Sequence, residues 1–170
     1  MIFLLLLSSY HSYMFVSKGG ELHDSKSYNY AHVGVYFGIL GLLTGMFWAK
    51  YTWGTYWTND PKLNGSAIGL LIYFGYFILR SSIEDESKKG KISSVYNVFA
   101  FSMLIPLIFI LPRLTDSLHP GNGGNPGFNV YDMNLQLRLV FYPAVTGFIF
   151  LGLWISDLRL KMLKLKQFLP

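Results

Sequence analysis

Charged residues are missing from five long stretches of this sequence: 1–17, 31–49, 63–79, 92–112 and 139–156. Together they make up more than half of the 170 residues. A helix needs about 20 mostly apolar residues to cross the roughly 30 Å hydrocarbon core of a bilayer. Four of the runs are long enough as they stand. The first, MIFLLLLSSYHSYMFVS, is interrupted by Ser8, Ser9, His11 and Ser12 and starts at Met1 without a polar lead-in. It lacks the basic leader and small-residue cleavage site of a signal peptide, so it reads as a span that starts late. Charged residues are 14% of the chain and mean hydropathy is +0.35, whereas a soluble domain carries about a quarter charged residues. A soluble fold, a disordered chain and a coiled coil are excluded. The expected fold class is all-α: one polytopic transmembrane helical bundle over residues 1–170, with five spans.

Five spans place the termini on opposite sides. One side holds loops 17–30 and 80–91 and the tail 157–170, with Lys18, Lys26, Arg80, Lys88, Lys89, Lys91, Arg159, Lys161, Lys164 and Lys166. The other holds loops 50–62 and 113–138, with Lys50, Lys62, Arg113 and Arg138. Basic residues collect in cytoplasmic loops, so the first side, including the C-terminus, is expected to be cytoplasmic. The net charge of +5 follows from this asymmetry, and the RLKMLKLK tail suits an anionic lipid surface. A nucleic-acid partner is not expected. The cytoplasmic loops mix acids and bases as solvated connectors do. The outer loops carry Trp, Tyr, His, Asn, Gly and Pro instead, and function is sought there.

The chain has no cysteine, which excludes disulfides, thiolate metal sites and cysteine nucleophiles. Gly34, Gly38, Gly41 and Gly45 share one face of the second span, and Gly65 and Gly69 repeat the spacing in the third. Small residues so spaced let helix backbones approach closely in lipid, and packing within the bundle is the expected use. Pro106 and Pro143 lie inside spans and are expected to kink them.

Between the second and third spans runs KYTWGTYWTNDPKLNG. Trp53, Tyr56 and Trp57 are spaced i, i+3, i+4, so a short helix would present them as one aromatic platform, with Gly54 inside it and Asp60 and Lys62 at its edge. Aromatic residues also gather at bilayer interfaces whatever the function, and a plain belt is the competing reading. A flat apolar ligand with anionic substituents suits the platform: its rings stack on the face and Lys62 pairs with carboxylates.

The segment Trp53-Gly54-Thr55-Tyr56-Trp57-Thr58-Asn59-Asp60-Pro61-Lys62 resembles the tryptophan-rich WWD signature of the haem-handling membrane proteins of cytochrome c assembly, in particular the CcmC-type haem-delivery branch. The likeness extends through the glycine-rich spans and the loop carrying Ser117-Leu118-His119, from about residue 30 onward. Tyr56 and Asn59 stand where the family usually has further tryptophans. Lys62 stands where arginine is usual, which keeps charge and loses the bidentate fork. The resemblance implies a site on the outer face for non-covalently and transiently held haem b, cradled by the aromatic segment and ligated by histidines from the flanking outer loops. It also implies a periplasmic haem chaperone and an ABC-type release complex as partners, in the bacterial cytoplasmic membrane.

Of the four histidines, His11, His23 and His32 fall at the cytoplasmic end and only His119 is outside. Imidazole is the commonest protein ligand to haem iron, and His119 is the candidate axial ligand. Asp116 is a candidate to orient it or to pair with Arg113. Arg113 and Arg138 are cations placed to meet propionates or to anchor the interface. Gly121, Gly123, Gly124 and Gly127 follow a membrane exit rather than a strand and precede no Gly-Lys-Ser/Thr, so they are not a phosphate loop. The family's other histidine, in a His-Val-Pro context, has no counterpart here. The sequence is therefore expected to be an N-terminally truncated form of a six-span protein.

The expected function is haem binding and delivery for cytochrome c biogenesis, with no catalytic residues. The alternatives are a haem lyase subunit of the other cytochrome c assembly system, which is generally larger, and a structural or permease subunit of an ABC-type exporter.

Overall fold

The structure is a computed structural model and describes residues 1–115, 117–119 and 133–166, apart from the side chains of 164 and 166. It is helical: α1 (Ile2–Lys18), α2 (Glu21–Trp53), α3 (Pro61–Ser82), α4 (Glu86–Ile105), a π-helical turn (Pro106–Ile110), α5 (Leu111–Leu114) and α6 (Leu135–Lys166). No strand occurs among the described residues. Four helical stretches are long and apolar enough to cross a membrane: Glu21–Trp53, Pro61–Ser82, Glu86–Leu114 and Leu135–Leu163. The fifth expected span is α1, of 17 residues. Large apolar side chains such as Phe47, Leu71, Ile78, Phe99, Phe150 and Trp154 are exposed. The bundle thus turns hydrocarbon outward and keeps a share of its polar groups inside, as lipid requires.

Loop 17–30 is shorter than expected. Only Gly19 and Gly20 interrupt the helices, at φ 74° and 95°, a region open to glycine at little steric cost; residues 21–30 are already α2. The polarity of that stretch serves the interior rather than the solvent. Ser27 Oγ lies 2.6 Å from Ser12 Oγ, and Ser8 Oγ donates to the Ser27 carbonyl at 2.7 Å. The Asn97 amide of α4 reaches Ser8, Ser12 and Ser27 at 2.7, 2.9 and 3.0 Å. Ser8 and Ser12, which interrupt the first apolar run, thus hydrogen-bond α1 to α2 and α4. Interhelical hydrogen bonds of this kind contribute about 0.6–2 kcal/mol each in membranes. Asn29 similarly ties α2 to α6 through the Ser156 carbonyl at 2.9 Å.

At the same end Arg80 makes a two-pronged ion pair with Asp24 and lies 4.6 Å from the Tyr28 ring centre. Asp24, read from sequence as an ordinary loop charge, is instead a largely enclosed partner. The apolar core runs through Leu5, Val35, Leu70, Tyr73, Tyr76 and Leu104.

The glycines divide into two sets. A Cβ on Gly65 would collide with the Leu107 backbone carbonyl, and one on Gly69 would meet Leu104. This close α3 crossing follows from Pro106, which cannot donate to the helix and opens it into the π turn. Gly34 packs on Leu5 and Gly38 on Met1 and Leu70, but Gly41 and Gly45 face open space. The expected bundle packing is seen at Gly34 and Gly38 of the α2 glycine face and at Gly65 and Gly69 of α3. Pro143 lies inside α6, which continues through it.

Candidate functional site

The end of the bundle opposite the Asp24–Arg80 pair is organised by Asp60. Asn59-Asp60-Pro61 is a helix-start signal, with an N-cap acid followed by proline at the first helical position. Asp60 is extended (φ −93°, ψ 132°) and caps α3. Its Oδ1 accepts from the backbone N–H of Lys62 at 2.9 Å and of Leu63 at 3.1 Å. The same carboxylate reaches across the fold. Oδ2 accepts from Ser117 Oγ at 2.8 Å and from the Leu118 N–H at 2.7 Å, and Oδ1 lies 2.8 Å from His119 Nδ1. Ser117 Oγ in turn accepts from the His119 N–H at 3.2 Å.

The Asp60 side chain is only 1% exposed, and a buried charge survives only if it is well partnered. Burial by itself pushes its carboxyl up. The hydrogen bonds from Ser117, Leu118 and Leu63 and the nearby His119 outweigh that and hold it below the ordinary carboxylate range. An ionised carboxylate only accepts, so Nδ1 of His119 carries the hydrogen. The neutral ring then keeps its lone pair on Nε2, the tautomer a metal-ligating histidine needs.

Trp53 stands edge-on to the His119 ring, centroids 5.0 Å apart at 79°, and Trp48 meets Trp53 in the same way at 5.0 Å. The platform expected from the i, i+3, i+4 spacing does not form. Trp53 is the last residue of α2, and Gly54 terminates the helix in the left-handed region (φ 81°, ψ −8°). Lys50 fastens that turn by donating to the Gly54 carbonyl at 2.9 Å. Beyond it Tyr56 packs on Phe47 beneath Lys50, and Trp57 donates to Asn64 Oδ1 at 3.2 Å. The three aromatics are thus divided: Trp53 joins His119, while Tyr56 and Trp57 pack elsewhere.

Lys62 and His119 both line a cleft of about 290 Å³ between α2 and α3, floored by Gly38, Gly41 and Gly45 and walled by Leu42, Leu63 and Leu70. Arg113 is exposed on α5, and Arg138 is half-buried in the first turns of α6. Among the described residues no hydrogen bond or ion pair joins either arginine to Asp60 or His119, and both remain candidates by position. Asp116 and the glycines at 121, 123, 124 and 127 lie outside the described residues. His11 and His23 meet at 3.0 Å, and His32 packs on Tyr28 and Phe77. Those three histidines lie at the other end, His32 being some 30 Å along α2 from Trp53.

Sequence reasoning placed Asp60 at the edge of an aromatic shelf and missed its hold on residues 117–119. It also missed Ser117 as a donor. The N-cap signal in Asn59-Asp60-Pro61 was readable, but an N-cap leaves one carboxylate oxygen to spare, and nothing local says where that oxygen goes.

The family model described as cytochrome C assembly protein matches residues 3–119. The proteins called heme exporter protein C are similar to this chain. That of Haemophilus influenzae is 26% identical over 137 residues, covering 81% of this chain and 55% of its own length. That of Paracoccus denitrificans is 34% identical over 131 residues, 76% and 53% respectively. That of Bradyrhizobium diazoefficiens is 27% identical over 135 residues, 79% and 51%. The chain spans about half the length of these relatives. No solved structure matches it. With a matching family model over most of its length and a bundle of membrane-length helices, the chain belongs to the cytochrome c assembly protein family.

Proposed function

We propose that this protein binds haem non-covalently at the Trp53–Asp60–His119 end of the bundle and hands it on for cytochrome c maturation. The observation that carries the reading is the Asp60–His119 hydrogen bond, which fixes the imidazole tautomer with Nε2 as the iron ligand. Asp60 adds basicity to the ring and restricts its rotation, as a carboxylate behind a ligating histidine does. Trp53 presents an edge to the imidazole and would flank a porphyrin held there, and Lys62, in the wall of the same cleft, would meet a propionate. Tyr56, Trp57 and Gly54 shape the turn that holds Trp53 in place, while Arg113 and Arg138 supply further positive charge near this end.

The haem is of the b type and is held transiently: the chain has no cysteine to form a thioether. The asymmetry of basic residues supports an orientation with this end on the extracytoplasmic face of a bacterial cytoplasmic membrane and the C-terminus in the cytoplasm. A periplasmic chaperone is the recipient, with an ABC-type complex driving release. The protein is a transfer factor rather than an enzyme.

Purified protein loaded with haemin tests the reading. A Soret band that is present in the parent protein and lost in His119→Ala is the expected result. A band unchanged by that substitution overturns it.

A further inference from the structure

The segment 117–119 is held by hydrogen bonds more than by packing. Leu118 at its middle is 58% exposed, and Ser117 and His119 are half-buried. Three of its groups converge on the Asp60 carboxylate, whose two oxygens have different work. Oδ1 takes the Lys62 and Leu63 N–H groups of the α3 cap and faces His119 Nδ1. Oδ2 takes Ser117 Oγ and the Leu118 N–H, both from the other segment. The cap fixes the carboxylate on α3, so Oδ2 is the point against which 117–119 is set.

A hydroxyl has one hydrogen to give and lone pairs with which to receive. Ser117 gives its hydrogen to Oδ2 at 2.8 Å and receives the His119 N–H at 3.2 Å. A serine two residues before a ligand can do this because its side chain reaches the N–H two positions on. His119 is thereby tied to one carboxylate twice, through its ring and, by way of Ser117, through its main chain. A ring held by one hydrogen bond can still pivot about that bond. The second tie fixes the backbone from which the ring projects, and with it the direction of Nε2. We propose that Ser117 is a positioning residue for the iron ligand, its hydroxyl holding the His119 main chain against Asp60 so that Nε2 has one direction. The inference rests on the haem reading above, and Ser117 acts on haem only through His119.

Haemin titrations on the full chain in lipid nanodiscs decide it, with iron-free protoporphyrin IX as the second probe. Ser117→Ala and Ser117→Val weaken haemin binding by about tenfold, the lower end of what an outer partner of a metal ligand contributes. Ser117→Thr, which keeps the hydroxyl, stays near the parent. Protoporphyrin IX has no iron for His119 to hold, so its affinity is the same in the parent and the variants. Thermal melts run alongside confirm that each variant is folded at the titration temperature, and Ser117→Ala, which removes only an oxygen, decides the matter where valine proves too bulky. Parental haemin affinity in Ser117→Ala, or a threonine variant as weak as alanine, overturns the role of the hydroxyl. Equal weakening toward both porphyrins makes Ser117 a scaffold of the segment alone and overturns it as well. In each of these cases His119→Ala still abolishes the Soret band. Haemin binding that is absent in the parent, or unaffected by His119→Ala, overturns the haem reading and this inference with it.

Discussion

Asp60 Oδ1 and His119 Nδ1 sit 2.8 Å apart although 59 residues separate them in the chain. Asp60 both caps α3 and fastens the segment 117–119, so its two duties can be separated by substitution. Asparagine is as good an N-cap as aspartate, but it is neutral and a weaker partner for an imidazole N–H. Asp60→Asn is expected to keep the α3 cap on its amide oxygen but to turn an NH2 toward the Leu118 N–H, lowering stability by about 1–3 kcal/mol and weakening haemin binding. Asp60→Ala removes the α3 cap as well as the acceptor for Ser117 and Leu118, and is expected to lower stability further, by roughly 2–4 kcal/mol. Thermal melts and haemin titrations on the two variants, side by side, read both effects.

The same carboxylate makes stability depend on pH. Its folded pKa lies below the ordinary value of 3.8, so the native state prefers the ionised form. The stabilisation is complete above the unfolded-state pKa and is lost as pH falls through the folded one. Melting temperature should therefore drop below about pH 4 more steeply in the parent than in Asp60→Asn. Parallel pH profiles for the two proteins would rule out this linkage.

Gly65 is the position least able to accept a side chain. A methyl group there collides with the Leu107 carbonyl of the π turn, which is backbone and cannot swing aside. Gly65→Ala is expected to cost about 1–3 kcal/mol, and Gly147→Ala close to nothing. Unfolding in mixed detergent micelles compares them directly.

At the other end, Asp24→Ala leaves the Arg80 guanidinium, 13% exposed, without its carboxylate. A loss of about 1–3 kcal/mol is expected, below the 3–5 kcal/mol typical of a fully buried pair because both groups retain some solvent. The double variant Asp24→Ala/Arg80→Ala should recover part of it. A double-mutant cycle that closes without any coupling energy would show the pair to be incidental.

Membrane character and the all-helical class were legible in the order of residues, because helices in lipid are written as uninterrupted apolar runs; of the five expected spans, four are long and apolar enough to cross. The turn at Gly54 was visible as a residue but not as a break, since i, i+3, i+4 spacing among aromatics reads as helix whenever the backbone is assumed to continue. Residues 21–30 looked like a loop because periodicity cannot tell a polar group facing water from one facing Asn97 and Ser8 in another helix.

What the sequence by itself determined is that this chain is an α-helical membrane bundle with His119 and an aromatic segment at one end, because hydropathy and composition are local properties. Only the tertiary structure decided that Asp60 is the partner of His119, that Trp53 parts from Tyr56 and Trp57, and that Gly65 meets the Leu107 carbonyl. Each of those depends on which distant surfaces meet, and hydrogen bonds and close packing are short-ranged and directional. They come into being only when the helices are in register.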